Sequence, residues 1–469
     1  MLDDIIKKIK KDFKDSPDII YRKVKVKNKE ILLIYNISTS SSNNINDFLL
    51  GPLMSFNKDL TRENILNHLE NVLPETVIEN ANEKDLYSKI SSGFTAVFLE
   101  NEKPFVIETK ADLSRGVAEP LTENSISGPK DAFGENYQTN IGLIRKRIKT
   151  NDLTLEELSI GKDTKTQVAI FYMDSLIEKS LLNDIKKKLE NVNINAVLDS
   201  TYLREVLSSR KSSFPTIITT ERPDTASMQL LDGKILIMVE NSPYLLIIPS
   251  FFTDLFNASE DNYGLSINVS FTKIIRYLSF FIAIFLPAFY IAITTYDHEA
   301  IPVTLLINFS SQRASVPFPI IIEALGLTLV FEILRESDIR MPHLSGSAIS
   351  ILGAIVLGDA AVAAGIVSPI MVIVVSLSAI ASLMFSNIAM VNAIRIWKII
   401  FMIMASLAGT IGIFASTIFL IVHLSSLHTL GKPYLYPFVP FNKDILKQSL
   451  IKVSLKKQKR SFPIKENNL

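Results

Sequence analysis

The chain has 469 residues, a net charge of +1 and no cysteine, with a mean hydropathy of +0.26. Without cysteine, disulfides, thiolate zinc sites and thiol catalysis are excluded. The near-zero net charge conceals an acidic head, a near-neutral apolar body beginning at Lys273, and a basic tail from Lys443 onward.

From the N-terminus, Leu2, Ile5, Ile6, Ile9 and Phe13 recur at helical spacing among lysines. This predicts a basic amphipathic helix lying on its own domain or on an anionic membrane. Strand patterns follow at Ile31–Ile37, Phe94–Leu99 and Phe105–Thr109, and helical ones at Asn57–Val72 and Asp85–Ile90. The pair around Asn101–Pro104 reads as a hairpin. Residues 1–110 form a first α/β subdomain, and the Gly- and Pro-marked residues 111–130 a linker. A second α/β subdomain, 131–272, carries a helix at Phe133–Lys149, a strand at Gln167–Tyr172 and a helix at Ile177–Asn191. It closes with a hairpin, Lys234–Val239 and Leu245–Ile248. The basic cluster Arg145-Lys146-Arg147 is expected at a solvated helix end or a subunit contact.

A transmembrane helical domain is expected over 273–442, followed by a short basic tail, 443–469. Ile274–Thr295 is a first span, kinked at Pro287, and Val316–Leu334 a second that carries Glu323 and Glu332. Between Leu344 and Ile394 the only formal charge is Asp359. Within that stretch, Ala348–Ser386 as one helix would be roughly 58 Å long, against a hydrocarbon core of ~30 Å. Ser368-Pro369 is the natural break. Ile399–Leu424 is the last span, and Ile301–Phe309 a re-entrant or interfacial segment. The count is four or five spans. A signal-less head and a basic tail on the cytoplasmic side require an even number.

Motifs of catalysis fail. Gly161-Lys162-Asp163-Thr164 has Asp where a phosphate loop needs Ser or Thr after its Lys, and Glu156 where it needs Gly. His298-Glu299 lacks the second histidine of a zinc helix, and the five His show no metal spacing. The chain therefore reads as a non-enzyme with no metal and no cofactor.

Several strings remain: RGVAEP from Arg115, GPKDAF from Gly128 with Glu135-Asn136 and Thr139-Asn140, TERPD from Thr220 and PFP from Pro317. EILRESDIRMP follows from Glu332, then LGDAAV and Ala364–Pro369. Their order and spacing over Arg115–Pro440 resemble the A subunit of the GerA-family spore germination receptors. The resemblance implies a nutrient-sensing receptor in the inner membrane of a spore, acting with a transporter-like B subunit and a lipoprotein C subunit. It also implies self-association into a ring, a pentamer, that conducts ions. The sequence departs from the pattern at Lys130, at Gln138 and at Asp359, which stands in place of a Glu.

On a helix over Ser347–Ser368, Ala354, Gly358, Ala361 and Gly365 form a small-residue packing stripe. Ile355, Asp359, Val362 and Ile366 form a face rotated ~100° from it. This face is the expected pore lining or gate, with Asp359 as a carboxylate ring and Val362 and Ile366 as a hydrophobic constriction. The competing expectation is an ordinary packed span with Asp359 bonded to Arg313, Arg335 or a neighbouring amide. Glu323, Glu332, Arg335, Glu336 and Arg340 are expected to couple head to pore. A non-conducting scaffold relaying a partner's signal, or a solute transporter, are the alternative functions; a transporter should show an internal repeat.

Overall fold

The computed structural model describes residues 2–26, 29–56, 59–72, 78–80, 83–113, 119–208, 212–340 and 358–453. The first subdomain comprises α1 (Leu2–Asp12), β1 (Ile19–Val26), β2 (Lys29–Asn36), α2 (Arg62–Val72), β3 (Ile78–Asn80), α3 (Glu83–Ser91), β4 (Phe94–Phe98) and β5 (Phe105–Glu108). The second comprises α4 (Tyr137–Arg147), β6 (Leu153–Ile160), β7 (Thr166–Met173), α5 (Lys179–Glu190), α6 (Ser200–Leu207), β8 (Ile218–Thr220), α7 (Pro223–Leu231), β9 (Ile235–Val239) and β10 (Leu245–Ile248).

The two sheets have the same spatial order. One runs β1-β2-β4-β5-β3 and the other β6-β7-β9-β10-β8, and all their registered pairs are antiparallel. In both, a helix precedes the first hairpin, one or more helices follow it, and one helix separates the third strand from the second hairpin. The soluble part is thus a structural tandem, a repeat that sequence inspection does not reveal.

Each sheet is buried on both faces, which explains the nearly unbroken apolar runs of its central strands. Leu32 and Ile34 of β2 pack on one side with Ile9 of α1 and Ile90 of α3. Ile31 and Leu33 pack on the other with Ile65 and Leu69 of α2. The amphipathic N-terminal helix is therefore docked on its own domain. In the second sheet, Ile170 and Ile237 face α5 and α6, while Phe171 and Leu236 face α4 and α7.

The helical part holds α8 (Ser266–Thr295), α9 (Val303–Arg313), α10 (Ile320–Arg340), a helical turn at 358–363, α11 (Pro369–Ser382), α12 (Ile388–Ser426) and α13 (Lys443–Leu450). By length and composition α8 and α12 can cross a bilayer. Ser368 and Pro369 begin α11 as expected, the Ser368 Oγ accepting from Met371 N at 3.4 Å. α9 takes up the short segment from Val303 onward, and none of the residues of α9 is buried.

The α12 helix is a hairpin. Ala408 and Gly409 leave helical geometry, Gly409 at φ 57° and ψ −139°. Trp397 lies 5.4 Å from both Phe419 and His423, although a straight helix would separate 397 from 419 by roughly 33 Å. The expected single span Ile399–Leu424 is corrected to two antiparallel arms, 388–407 and 410–426. They are roughly 30 Å and roughly 25 Å long.

Candidate functional site

Three polar centres hold the helical part to itself. The first lies at the hairpin tip. Tyr296 and Asp297, just past α8, close over the break in α12. The Tyr296 hydroxyl donates to the carbonyls of Ser406 and Leu407 at 3.1 and 3.0 Å, satisfying acceptors orphaned where the first arm ends. The Asp297 carboxylate accepts from Thr410 N at 3.0 Å and from the Thr410 hydroxyl, capping the second arm. A Cβ on Gly409 would stand 2.8 Å from the Cβ of Tyr296, so glycine permits both the close approach and the backbone angle.

The second centre is Glu323, whose side chain is fully buried. Its Oε2 accepts from Ser368 N at 2.9 Å, and its Oε1 lies 3.6 Å from Arg313 Nε. One carboxylate thus ties together α9, α10 and the start of α11. The third centre is Glu332, 3.1 Å from Arg335 and 2.9 Å from Arg395 on the first arm of α12. Of the coupling candidates, Glu323, Glu332 and Arg335 sit in these networks, but Glu323 does not meet the other two. Glu336 and Arg340 lie on the last turns of α10.

Ile355 and Ala354 lie outside the described residues. Asp359 is exposed and, among the described residues, has no hydrogen-bond or ion-pair partner. Arg313 and Arg335, expected as its partners, are engaged by Glu323 and Glu332. Ala361 and Val362 pack against the helical core while Gly358 is half-buried. The expected helix to Ser368 is corrected: it ends near Ala363. Gly365 N bonds Val362 O at 3.0 Å and Ile366 N bonds Ala361 O at 2.9 Å, with Gly365 at φ 66°. This is a Schellman termination. Gly365 is therefore a helix cap beside the carbonyl of Ser315, and Ile366 leaves the face that Asp359 and Val362 share.

Head and helices meet through the second subdomain. Trp397 Nε1 donates to Ser213 Oγ at 3.0 Å, and Ser212 Oγ and His423 Nε2 share a hydrogen bond of 2.9 Å. Phe214 packs between Trp397, His423 and Phe252. After α12 the chain returns to the sheet, Thr429 Oγ1 donating to the carbonyls of Thr216 and Ser250 at 3.3 and 3.0 Å.

The short motifs prove to be fastenings. Arg222 of TERPD is buried, donating to both carboxylate oxygens of Asp224, to Ser125 Oγ and to Pro129 O, so it clamps the linker. Asn140 accepts from Gly134 N and donates to Gly134 O, and Arg147 pairs with Asp131 of GPKDAF at 2.5 Å. Linker residue Glu123 accepts from the Thr220 hydroxyl at 2.6 Å. Burial pushes its carboxyl up to about 7; the Thr220 bond opposes this and the Glu221 charge adds to it.

Arg145 corrects the expectation of a solvated basic cluster. Its side chain is 0% exposed. It donates to Asp18 Oδ2 at 2.8 Å and Oδ1 at 3.0 Å, to Ser16 Oγ at 2.9 Å and to Leu153 O at 2.8 Å, joining the two subdomains. Sequence reading also missed the hairpin break. The Ala408-Gly409 pair inside an over-long apolar run was its signal.

Comparison with known proteins agrees with the resemblance. The family model described as Bacillus/Clostridium GerA spore germination protein matches residues 7–462. The chain is 36% identical over 96% of its length to spore germination protein KA of Bacillus subtilis, covering 84% of that protein. It is 32% identical over 94% of its length to spore germination protein A1 of the same organism, covering 92% of it. The crystal structure of the N-terminal domain of the A subunit of the Bacillus megaterium spore germinant receptor GerK3 is 30% identical, with a TM-score of 0.42 over 53% of this chain and 94% of that one. The chain belongs to the GerA family of spore germination proteins.

Proposed function

We infer that this chain is the A subunit of a nutrient-sensing germination receptor in the spore inner membrane, and that its copies form a ring, a pentamer, with a cation path at its axis. The observation that carries this reading is Asp359. An ionised carboxylate inside an apolar run is costly unless it meets water, a cation or a neighbouring chain. Asp359 is exposed and has no partner among the described residues, and a ring of copies would supply both water and neighbours. Asp359 then favours cations, Val362 constricts the path, and Ile366 adds an apolar rim past the helix end. The Glu332–Arg335–Arg395 network couples α10 to the hairpin. A transporter-like B subunit holds the nutrient, and a lipoprotein C subunit completes the receptor.

Head and tail sit on one side. The contacts of Ser212 and Ser213 with both arms of α12, and of Thr429 with the sheet, support this arrangement. The basic tail favours the cytoplasmic face. The rigid joint at Phe214 favours a second reading, a non-conducting relay that passes the B subunit's signal through the head. Purified chain is sized by native mass measurement and reconstituted in planar bilayers. A ring with cation conductance is expected; a stable monomer and silent bilayers would leave only the relay.

A further inference from the structure

A cavity of about 440 Å³ lies where the second subdomain, the start of α8, the N-terminus of α12 and the tail helix α13 meet. It is lined by Lys273, Asn387 and Ser449 and by the carboxyls of Glu123, Asp232, Asp254 and Asp261, among others, and its size suits a small polar ligand. Most charges around it are accounted for. Lys234 pairs with Asp254 at 2.6 Å and Arg276 with Asp261 at 2.5 Å and Glu260 at 3.5 Å. Lys452 Nζ donates to three carbonyls, those of Asp261, Asn262 and Gly264.

Lys273 is different. It is 8% exposed, and the hydrogen bond found for its Nζ is a long one, 3.4 Å to Gln448 O. No carboxylate approaches within ion-pair distance among the described residues. A buried ammonium so poorly matched is costly. The Asn387 cap places the N-terminus of the first α12 arm on the same cavity, and a helix N-terminus favours anions. Ile274, next to Lys273 on α8, is an exposed apolar side chain, a surface on which an acyl chain can lie.

We propose that this cavity is an anion site in which Lys273 and the N-terminus of α12 bind a phosphate group, from a lipid headgroup or a soluble phosphate, and thereby fasten the tail helix to the head. Full-length protein is compared with Lys273→Met and with Lys187→Met, which alters an exposed lysine of α5. Thermal midpoints are measured in phosphatidylcholine nanodiscs, with inorganic phosphate titrated in or with phosphatidylglycerol replacing part of the lipid. The wild type and Lys187→Met should show a saturable rise, and Lys273→Met should need at least about tenfold more ligand. A rise with phosphatidylglycerol alone identifies the lipid; a rise with inorganic phosphate identifies the soluble source. Because the chain has no cysteine, Ser449→Cys offers a second readout that keeps Lys273. Its maleimide labelling should slow when the ligand binds. No rise in the wild type, an equal rise in Lys273→Met, or labelling unaffected by either ligand would overturn the proposal.

Discussion

The two soluble subdomains share a strand order and a three-layer build but differ in what holds them. The second is sewn to the helical part by Phe214, Trp397, His423 and Thr429, all near its edge strand β8. The equivalent edge of the first is β3. The ties of the first subdomain run to the second, through Lys14–Asp152 and Ser38–Gln138 as well as Arg145–Asp18. One fold serves twice, once packed on the helical part and once joined to the other subdomain.

Breaking the joint between the subdomains should have the largest effect. Arg145→Ala leaves Asp18 buried with its guanidinium gone, and removing one partner of a buried pair costs about 3–5 kcal/mol. Denaturant unfolding of the full chain should show that loss as an early transition of the first subdomain. A single transition shifted by less than ~1 kcal/mol would mean the joint is not electrostatic.

Phe214→Ala cuts the other joint. It leaves a cavity between sheet and hairpin and should cost about 3 kcal/mol. Here the helical part and second subdomain should lose their common melting transition while the first subdomain's is unmoved. Joint loss of all three would erase the distinction drawn between the two subdomains.

A smaller effect sharpens the account of the linker. The Glu123 carboxyl, ordinarily near 4.5, is raised to about 7. The folded state therefore keeps a proton that the unfolded state releases. Stability from this group is fully present below about 4.5 and is lost as pH rises through about 7. Glu123→Gln should flatten the thermal midpoint between those values. An unaltered slope would place the titration elsewhere.

Much of this architecture was legible. The hairpins β4–β5 and β9–β10, the helix α5 and the break at Ser368-Pro369 follow from apolar periodicity and turn residues. The strands β1 and β6 were missed because Arg22, Lys23, Lys25, Glu156 and Glu157 mask their alternation. Without them the tandem is invisible. The α12 hairpin was missed for another reason: the run from Ile399 to Leu424 is apolar on both sides of the break, so composition carries no sign of a reversal. Only the excess length, and Gly409 beside Ala408, marked it. Among the site residues, the buried status of Glu323 was readable from its depth in an apolar span. The ending of the helix at Gly365 was not, because a glycine in a small-residue stripe and a glycine cap look alike until φ is known.

The central claim concerns Asp359. Reconstituted wild-type chain and Asp359→Asn are compared by reversal potential in asymmetric potassium chloride, with oligomer size measured on the same preparations. The account predicts equal assembly and a marked loss of cation preference in the variant. Equal assembly with an unchanged reversal potential would contradict it and leave the relay as the function of this subunit.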